Sequence, residues 1–161
     1  MTTVAGDPGD IAIVAFDDRY ADAFARLNRD WLVRFDLLEE GDRKHLEHPR
    51  DSILSAGGEI FLAVSAGVVY GTCAVIPRDH ETVELAKLAV AESARGRGLG
   101  KRLSLAAIQW ARNRGSRCVV LVSSTKLTTA LGLYERLGFE YADLPDDPGY
   151  ASADVFMKLR L

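Results

Sequence analysis

The sequence predicts a mixed α/β fold of α+β type: a central, mostly antiparallel sheet of six to seven strands flanked by about four helices. Three observations carry this reading. Strand-like apolar segments occupy 11–16, 59–77 (a pair) and 82–90, and the last three follow one another with no helix between them, as antiparallel neighbours do. Over 82–124 a strand, a glycine-rich turn, a long amphipathic helix and a second strand then follow, the order of a crossover unit. The chain has 161 residues, 48% hydrophobic and 27% charged, enough for one substantial core and too few for two. One domain over 1–161 is expected, with the Gly/Asp/Pro-rich lead 1–9 flexible.

Taken in order, "IAIVAF" (11–16) reads as the first strand. "DDRYADAFARLNRDWLVRF" (17–35) reads as a helix whose acidic first turn suits the helix dipole and whose apolar stripe is Tyr20, Phe24, Leu27 and Trp31, with Phe35 following. "LEEGDRKHLEHP" gives a short second helix stopped at Pro49, and "DSILSAGG" a helical turn ended by glycines. "EIFLAVSAGVVYGTCAVIP" (59–77) divides into two strands at Ala66-Gly67, and "TVELAKLAV" (82–90) is a third, apolar on both faces and so interior to the sheet. "LGKRLSLAAIQWARNRG" (99–115) is the clearest helix, with Leu99, Leu103, Ala106 and Trp110 aligned and Gly115 as its stop. A buried strand "RCVVLVSS" (117–124), a short helix "LTTALGLYERLG" (127–138) and two strands, "FEYADL" and "ADVFMKLRL", around the loop "PDDPGY" complete the chain.

Composition excludes several classes. A net charge of -3 argues against a general nucleic-acid binder. The two cysteines, Cys73 and Cys118, sit inside strands and read as reduced core residues. "MTTVAGDPGD" lacks the basic and apolar regions of a secretion signal, and no apolar run reaches the roughly 18 residues that span a bilayer. A cytoplasmic protein without a membrane partner is expected. His45 and His48 have no acidic or cysteine partner at metal spacing, so they read as a solvated helix face and no metal is expected.

"AESARGRGLGKRLS" (91–104) carries the most chemistry. It is not a Walker loop, because Arg95 and Arg102 stand where glycine and a hydroxyl are required. It is not a dinucleotide fingerprint either, since Lys101 or Leu103 occupies the place of the last glycine. What remains is a strand, a glycine turn and a helix start, whose unpaired backbone N–H groups attract an anion. Gly96, Gly98 and Gly100 let a diphosphate approach the backbone, and Arg95, Arg97 and Lys101 add charge that is unfavourable at a helix N-terminus unless an anion sits there.

These residues resemble the acyl-CoA loop of the GNAT-type N-acetyltransferase superfamily, [R/Q]-x-x-G-x-[G/A], at Arg95, Gly98 and Gly100. "ALGLYERLGFEY" is similar to the same family's A-x-x-L-Y-x-x-x-G-F, at Ala130, Leu133, Tyr134, Gly138 and Phe139, and the small size is that of single-domain bacterial members. The resemblance covers about 59–161 well and implies a sheet splayed beside the strand 82–90. It implies acetyl-CoA as co-substrate, with Leu88, Ala89 and Val90 bonding its pantetheine arm through their backbone and Gly96, Leu99 and their neighbours up to Lys101 holding its diphosphate. It also implies direct transfer of acetyl to a primary amine, with an N–H near Leu88 polarising the thioester carbonyl. Tyr134 matches the family's general acid, although by pattern alone it reads equally as a core residue on the stripe Leu127, Ala130, Tyr134 and Leu137. Glu84 holds one of the family's base positions, and its pattern fits a bonded strand-end carboxylate as well as a base. Val122 occupies the other base position and cannot serve. The asparagine common near the start of the last helix is replaced by Leu127, with Ser124 the nearest polar residue for the cofactor. A homodimer is a further expectation from the family. The rival reading is a non-catalytic acyl-CoA-binding module, disfavoured by the presence of both Tyr134 and Glu84. On the acceptor side, the acidic stretches 36–42 and 143–150, with Asp36, Glu39, Asp146 and Asp147, would favour a cationic amine, its apolar part packed by Trp31, Phe35 and Tyr150.

Overall fold

In the computed structural model, which describes residues 10–161, the apolar segments become seven strands. They are β1 Ala12–Ala15, β2 Glu59–Ser65, β3 Val68–Pro77, β4 Thr82–Val90, β5 Cys118–Ser123, β6 Glu140–Ala142 and β7 Val155–Arg160. The lead 1–9, expected to be flexible, lies outside the described residues. Four α-helices, α1 Ala21–Arg34, α2 Glu40–Glu47, α3 Leu99–Asn113 and α4 Thr128–Arg136, are joined by short helical turns at Asp18–Tyr20, Arg50–Leu54 and Glu92–Ala94. The strands form one sheet in the order β1-β2-β3-β4-β5-β7-β6, antiparallel throughout except for the β4–β5 pair. At the β2–β3 hairpin, Ala66 and Gly67 both take positive φ (50° and 77°), the mirror-image turn whose twist matches that of the strands it joins.

Side chains alternate across the sheet into two cores. Cys73, Val75, Val83 and Leu85 pack with α3, while Ala74, Ile76, Ile60 and Leu62 pack with Phe24, Leu32 and Leu46 of α1 and α2. Both long helices are rotated relative to the expected stripes. In α3 the buried ridge is Leu99, Leu103, Ala107, Ile108 and Ala111, with Ala106 and Trp110 at its edge, because small alanines let the helix lie close to the sheet. In α1 the buried face runs Phe24, Asn28, Leu32, which turns Leu27 and Trp31 to its flank.

Asn28 is fully buried and therefore must find partners. Its amide donates to the Phe24 carbonyl and to Thr72 Oγ1, each at 2.9 Å, and its oxygen accepts from Trp31 Nε1 at 3.3 Å. Thr72 in turn donates to the Lys87 carbonyl at 2.8 Å, so α1 is tied through β3 to the middle of β4. There β4 bulges: Thr72 faces Ala89 and Ala74 faces Ala86, leaving Cys73 opposite both Lys87 and Leu88, and Lys87 takes φ 53°. Below the bulge, β4 pairs with β5 only at Thr82–Glu84, against Cys118–Val120. Beyond that the two strands separate, and the sheet opens as a V between Leu85–Val90 and Leu121–Ser123.

Candidate active site

The opening between β4 and β5 holds a cavity of about 720 Å³. Above Glu84, β4 has no strand on its β5 side, so backbone groups on that edge are available to an extended ligand. Leu88, Ala89, Val90 and Ser124, expected to contact a cofactor, line this cavity. So do Arg95, Gly96, Gly98, Leu99, Gly100 and Lys101, whereas Arg97 is exposed and off the wall. Trp31, Phe35 and Tyr150, expected on the acceptor side, also line it.

At the start of α3 the chain makes an anion cradle. Gly98 is the N-cap at φ 77° and offers no side-chain cap, and the first helical bond runs from Arg102 N–H to its carbonyl at 3.0 Å. The N–H groups of Leu99, Gly100 and Lys101 therefore point out of the helix end without helical partners. Gly96 shares the same left-handed φ of 77°, and an added Cβ at either residue would meet no protein atom within 4 Å, so the glycines are required by backbone conformation and leave open space above it. Gly100 differs: its Cβ would come within 3.1 Å of Leu133 Cδ2, so its glycine lets α3 approach α4. Open N–H groups beside Arg95 and Lys101 fit a diphosphate.

The two expected catalytic groups both reach this cavity. Tyr134 projects from α4, is 7% exposed and packs edge-on against Phe139 with centroids 5.8 Å apart. Burial pushes its phenol above the ordinary tyrosine range, so it holds its proton throughout neutral pH. Glu84 is 3% exposed and bonds the Arg78 guanidinium. Burial lifts its carboxyl above the usual range, and Arg78 only partly offsets this.

Two charged residues were not singled out by the sequence. Lys87, at the bulge, and Asp42, in the first turn of α2, form a buried ion pair facing the cavity. Asp42's second oxygen accepts the Glu39 N–H at 2.9 Å. The Lys87 ammonium lies 5.1 Å from the Tyr150 ring centroid and 3.5 Å from its hydroxyl. A lysine within "TVELAKLAV" is the signal that was available, because an interior cation demands a partner. The segment 36–42 is accordingly less solvated than its composition suggests. Glu39 accepts from Ala151 N (2.8 Å), Ser152 N (3.1 Å) and Ser152 Oγ, fastening the β6–β7 loop to α2. Asp36, Asp146 and Asp147 are exposed and lie off the cavity wall.

His45 is half-buried rather than solvated, and its Nδ1 lies 3.1 Å from Ser52 Oγ. Burial first, and then the Lys87 charge, lower its pKa to about 4. The unfolded chain takes up this proton near pH 6.5 while the folded chain resists it, so stability present above pH 6.5 is lost as pH falls toward 4. Melting temperature measured across that window should fall less steeply in His45→Gln than in the parent. Among the described residues no group of three or more His, Cys, Asp or Glu is placed to hold a metal, and no helix is long and apolar enough to cross a membrane.

A half-split mixed sheet, with a bulged strand on one side of the gap and an uncapped helix start at its end, leaves room for an extended ligand along the free edge of β4 and for an anion at the start of α3. The chain belongs to the acetyltransferase (GNAT) family, whose model matches residues 20–139. N-acetyltransferase family 8 member 2 of Rattus norvegicus is 34% identical over 94 residues, which are 55% of this chain and 42% of that protein. The chain therefore spans less than half the length of this relative. A GNAT-family acetyltransferase of Staphylococcus aureus Mu50 shares the fold with a TM-score of 0.85 at 22% identity, over 94% of this chain and 99% of that one. The structure of yncA from Salmonella typhimurium with its cofactor acetyl-CoA gives a TM-score of 0.74 at 20% identity, over 94% of both chains.

Proposed function

We propose that the chain is an acetyl-CoA-dependent N-acetyltransferase that acetylates a primary amine of a small molecule or peptide. One observation carries this: a single cleft brings together the free edge of β4, the cradle at α3 and two buried titratable side chains, Tyr134 and Glu84. A module that only bound acyl-CoA would need the first two and not the last. Bound acetyl-CoA supplies an acetyl group activated as a thioester. Backbone groups of Leu88, Ala89 and Val90 would hold its arm, and the N–H groups of Leu99, Gly100 and Lys101, with the Arg95 and Lys101 side chains, its diphosphate. The Leu88 N–H, beside the bulge, would donate to the acetyl oxygen. Glu84 would accept a proton from the incoming ammonium, directly or through water, and Tyr134 would give its phenolic proton to the departing sulfur and be reprotonated from solvent. In sum an N–C bond replaces a C–S bond, and of the two protons that the ammonium loses on becoming an amide, one is balanced by the proton gained by sulfur and the other leaves through Glu84 to solvent.

Calorimetry with acetyl-CoA and CoA release across a panel of amines test the reading. Absence of acetyl-CoA binding at micromolar concentrations would overturn it. The base assignment has its own signature. Because Glu84 must be ionised to work, the rate should fall as pH drops through its raised pKa, giving an acidic limb above the ordinary carboxylate range. In Glu84→Gln the rate should drop and that limb disappear; an unchanged limb would assign it to the substrate or another group.

A further inference from the structure

We infer that the acceptor is an amine bearing an anionic group close to its nitrogen, of which an α-amino acid is the simplest. This rests on the function proposed above and names the substrate class of the same site. The charges on the cavity wall decide it. Both of its carboxylates are already neutralised: Asp42 by Lys87, and Glu84 by Arg78. Its remaining charged residues are all cations: Arg34, Arg95, Lys101, Lys126 and Arg136, none in an ion pair among the described residues. Arg95 and Lys101 belong to the cradle at α3, and Arg136 reaches back along α4 toward Gly132.

Arg34 and Lys126 are left over, and both contact Phe35. Arg34, at the end of α1, stacks its guanidinium 5.6 Å from the Phe35 ring centroid, and Lys126, before α4, donates to the Phe35 carbonyl at 3.2 Å. Phe35 lines the cavity beside Trp31, on the side where acceptor groups are expected. The carboxylates near these cations, Asp36, Glu39 and Asp154, do not line the cavity. Glu39 is held by Ala151 and Ser152, and Asp154, whose charge Lys126 feels, accepts from Thr125 N and Oγ1 at 2.9 Å each. Asp36 is exposed and off the wall. Two cations outside any ion pair among the described residues, set against an aromatic wall, repel a diamine and attract a carboxylate, while Trp31, Phe35 and Tyr150 favour an apolar side chain. The acidic stretches that suggested a cationic acceptor therefore do not set the field of this cavity.

The test compares L-phenylalanine, phenethylamine and 1,4-diaminobutane as acceptors for the parent chain and for the double variant Arg34→Gln/Lys126→Gln. Both residues are exposed, so the variant should fold, and the ratio of ratios cancels each amine's own basicity. The kcat/KM ratio of L-phenylalanine to phenethylamine should fall about tenfold in the variant, the size of one charge-assisted bond shared by two exposed cations, with KM for acetyl-CoA unchanged. Calorimetry gives a readout independent of turnover: with CoA present, the variant should bind N-acetyl-L-phenylalanine more weakly relative to N-acetylphenethylamine than the parent does. An unchanged ratio, a preference of the parent for 1,4-diaminobutane, or acetyl-CoA binding with no acetylation of L-phenylalanine would each overturn the inference while leaving the proposed function standing. Failure to bind acetyl-CoA would instead remove the function itself.

Discussion

Tyr134→Phe should lower turnover about 100-fold or more while leaving acetyl-CoA affinity nearly intact. The ring packs against Phe139 and the α3-side core, and phenylalanine keeps that packing, so only the hydroxyl is lost. Among the described residues this hydroxyl has no protein hydrogen-bond partner, and its removal leaves nothing stranded. Burial holds the proton on the phenol, which suits a donor that must remain loaded until sulfur departs. Steady-state kinetics beside calorimetry separates the outcomes: a fall in kcat with unchanged acetyl-CoA binding supports the acid role, and equal turnover returns Tyr134 to the core.

Asp42→Ala should destabilise the fold by about 3–5 kcal/mol, the usual consequence of stranding one member of a buried ion pair. Lys87 would lose its counterion while held in place by the Thr72 bond to its carbonyl, and α2 would lose the carboxylate that accepts the Glu39 N–H. Chemical denaturation of parent and variant measures the difference. The double variant Asp42→Ala/Lys87→Met should recover part of it, because no unpaired charge then remains. A loss below 1 kcal/mol in the single variant would mean that water reaches the pair.

Much of this was legible in the sequence, and the reason is local. The limits of β4 at Thr82 and Val90, the helix beginning at Leu99 and the turn at Ala66-Gly67 follow from short-range patterns of apolar alternation and glycine. The glycine-loop residues could be named because a strand–turn–helix unit leaves open N–H groups at the helix start, and the wall residues on β4 because the family resemblance implied them. What escaped depends on distance along the chain. Asp42 and Lys87 are 45 residues apart, and nothing in either neighbourhood identifies the other. Asn28 gives no local sign of its burial, because its partner, Thr72, lies 44 residues away. The rotation of α3 was hidden for another reason: Ala106 and Ala107 are equally apolar, and only the sheet decides which is buried.

The three residue pairs that join β4 to β5 also bear on how the molecule comes apart. With the bonds of Arg117 N–H and Cys118 N–H to the Glu81 carbonyl, they make the backbone seam, among the described residues, between a four-stranded unit, β1 to β4, and a three-stranded one, β5 to β7. Opening at that seam breaks neither unit's own ladder, but it would part the α3-side core, in which Val83 and Leu85 pack with Val119, Leu121 and Met157. A ligand lying in the gap would lengthen the seam from three pairs toward a full strand, adding backbone bonds to a junction that side-chain packing otherwise carries.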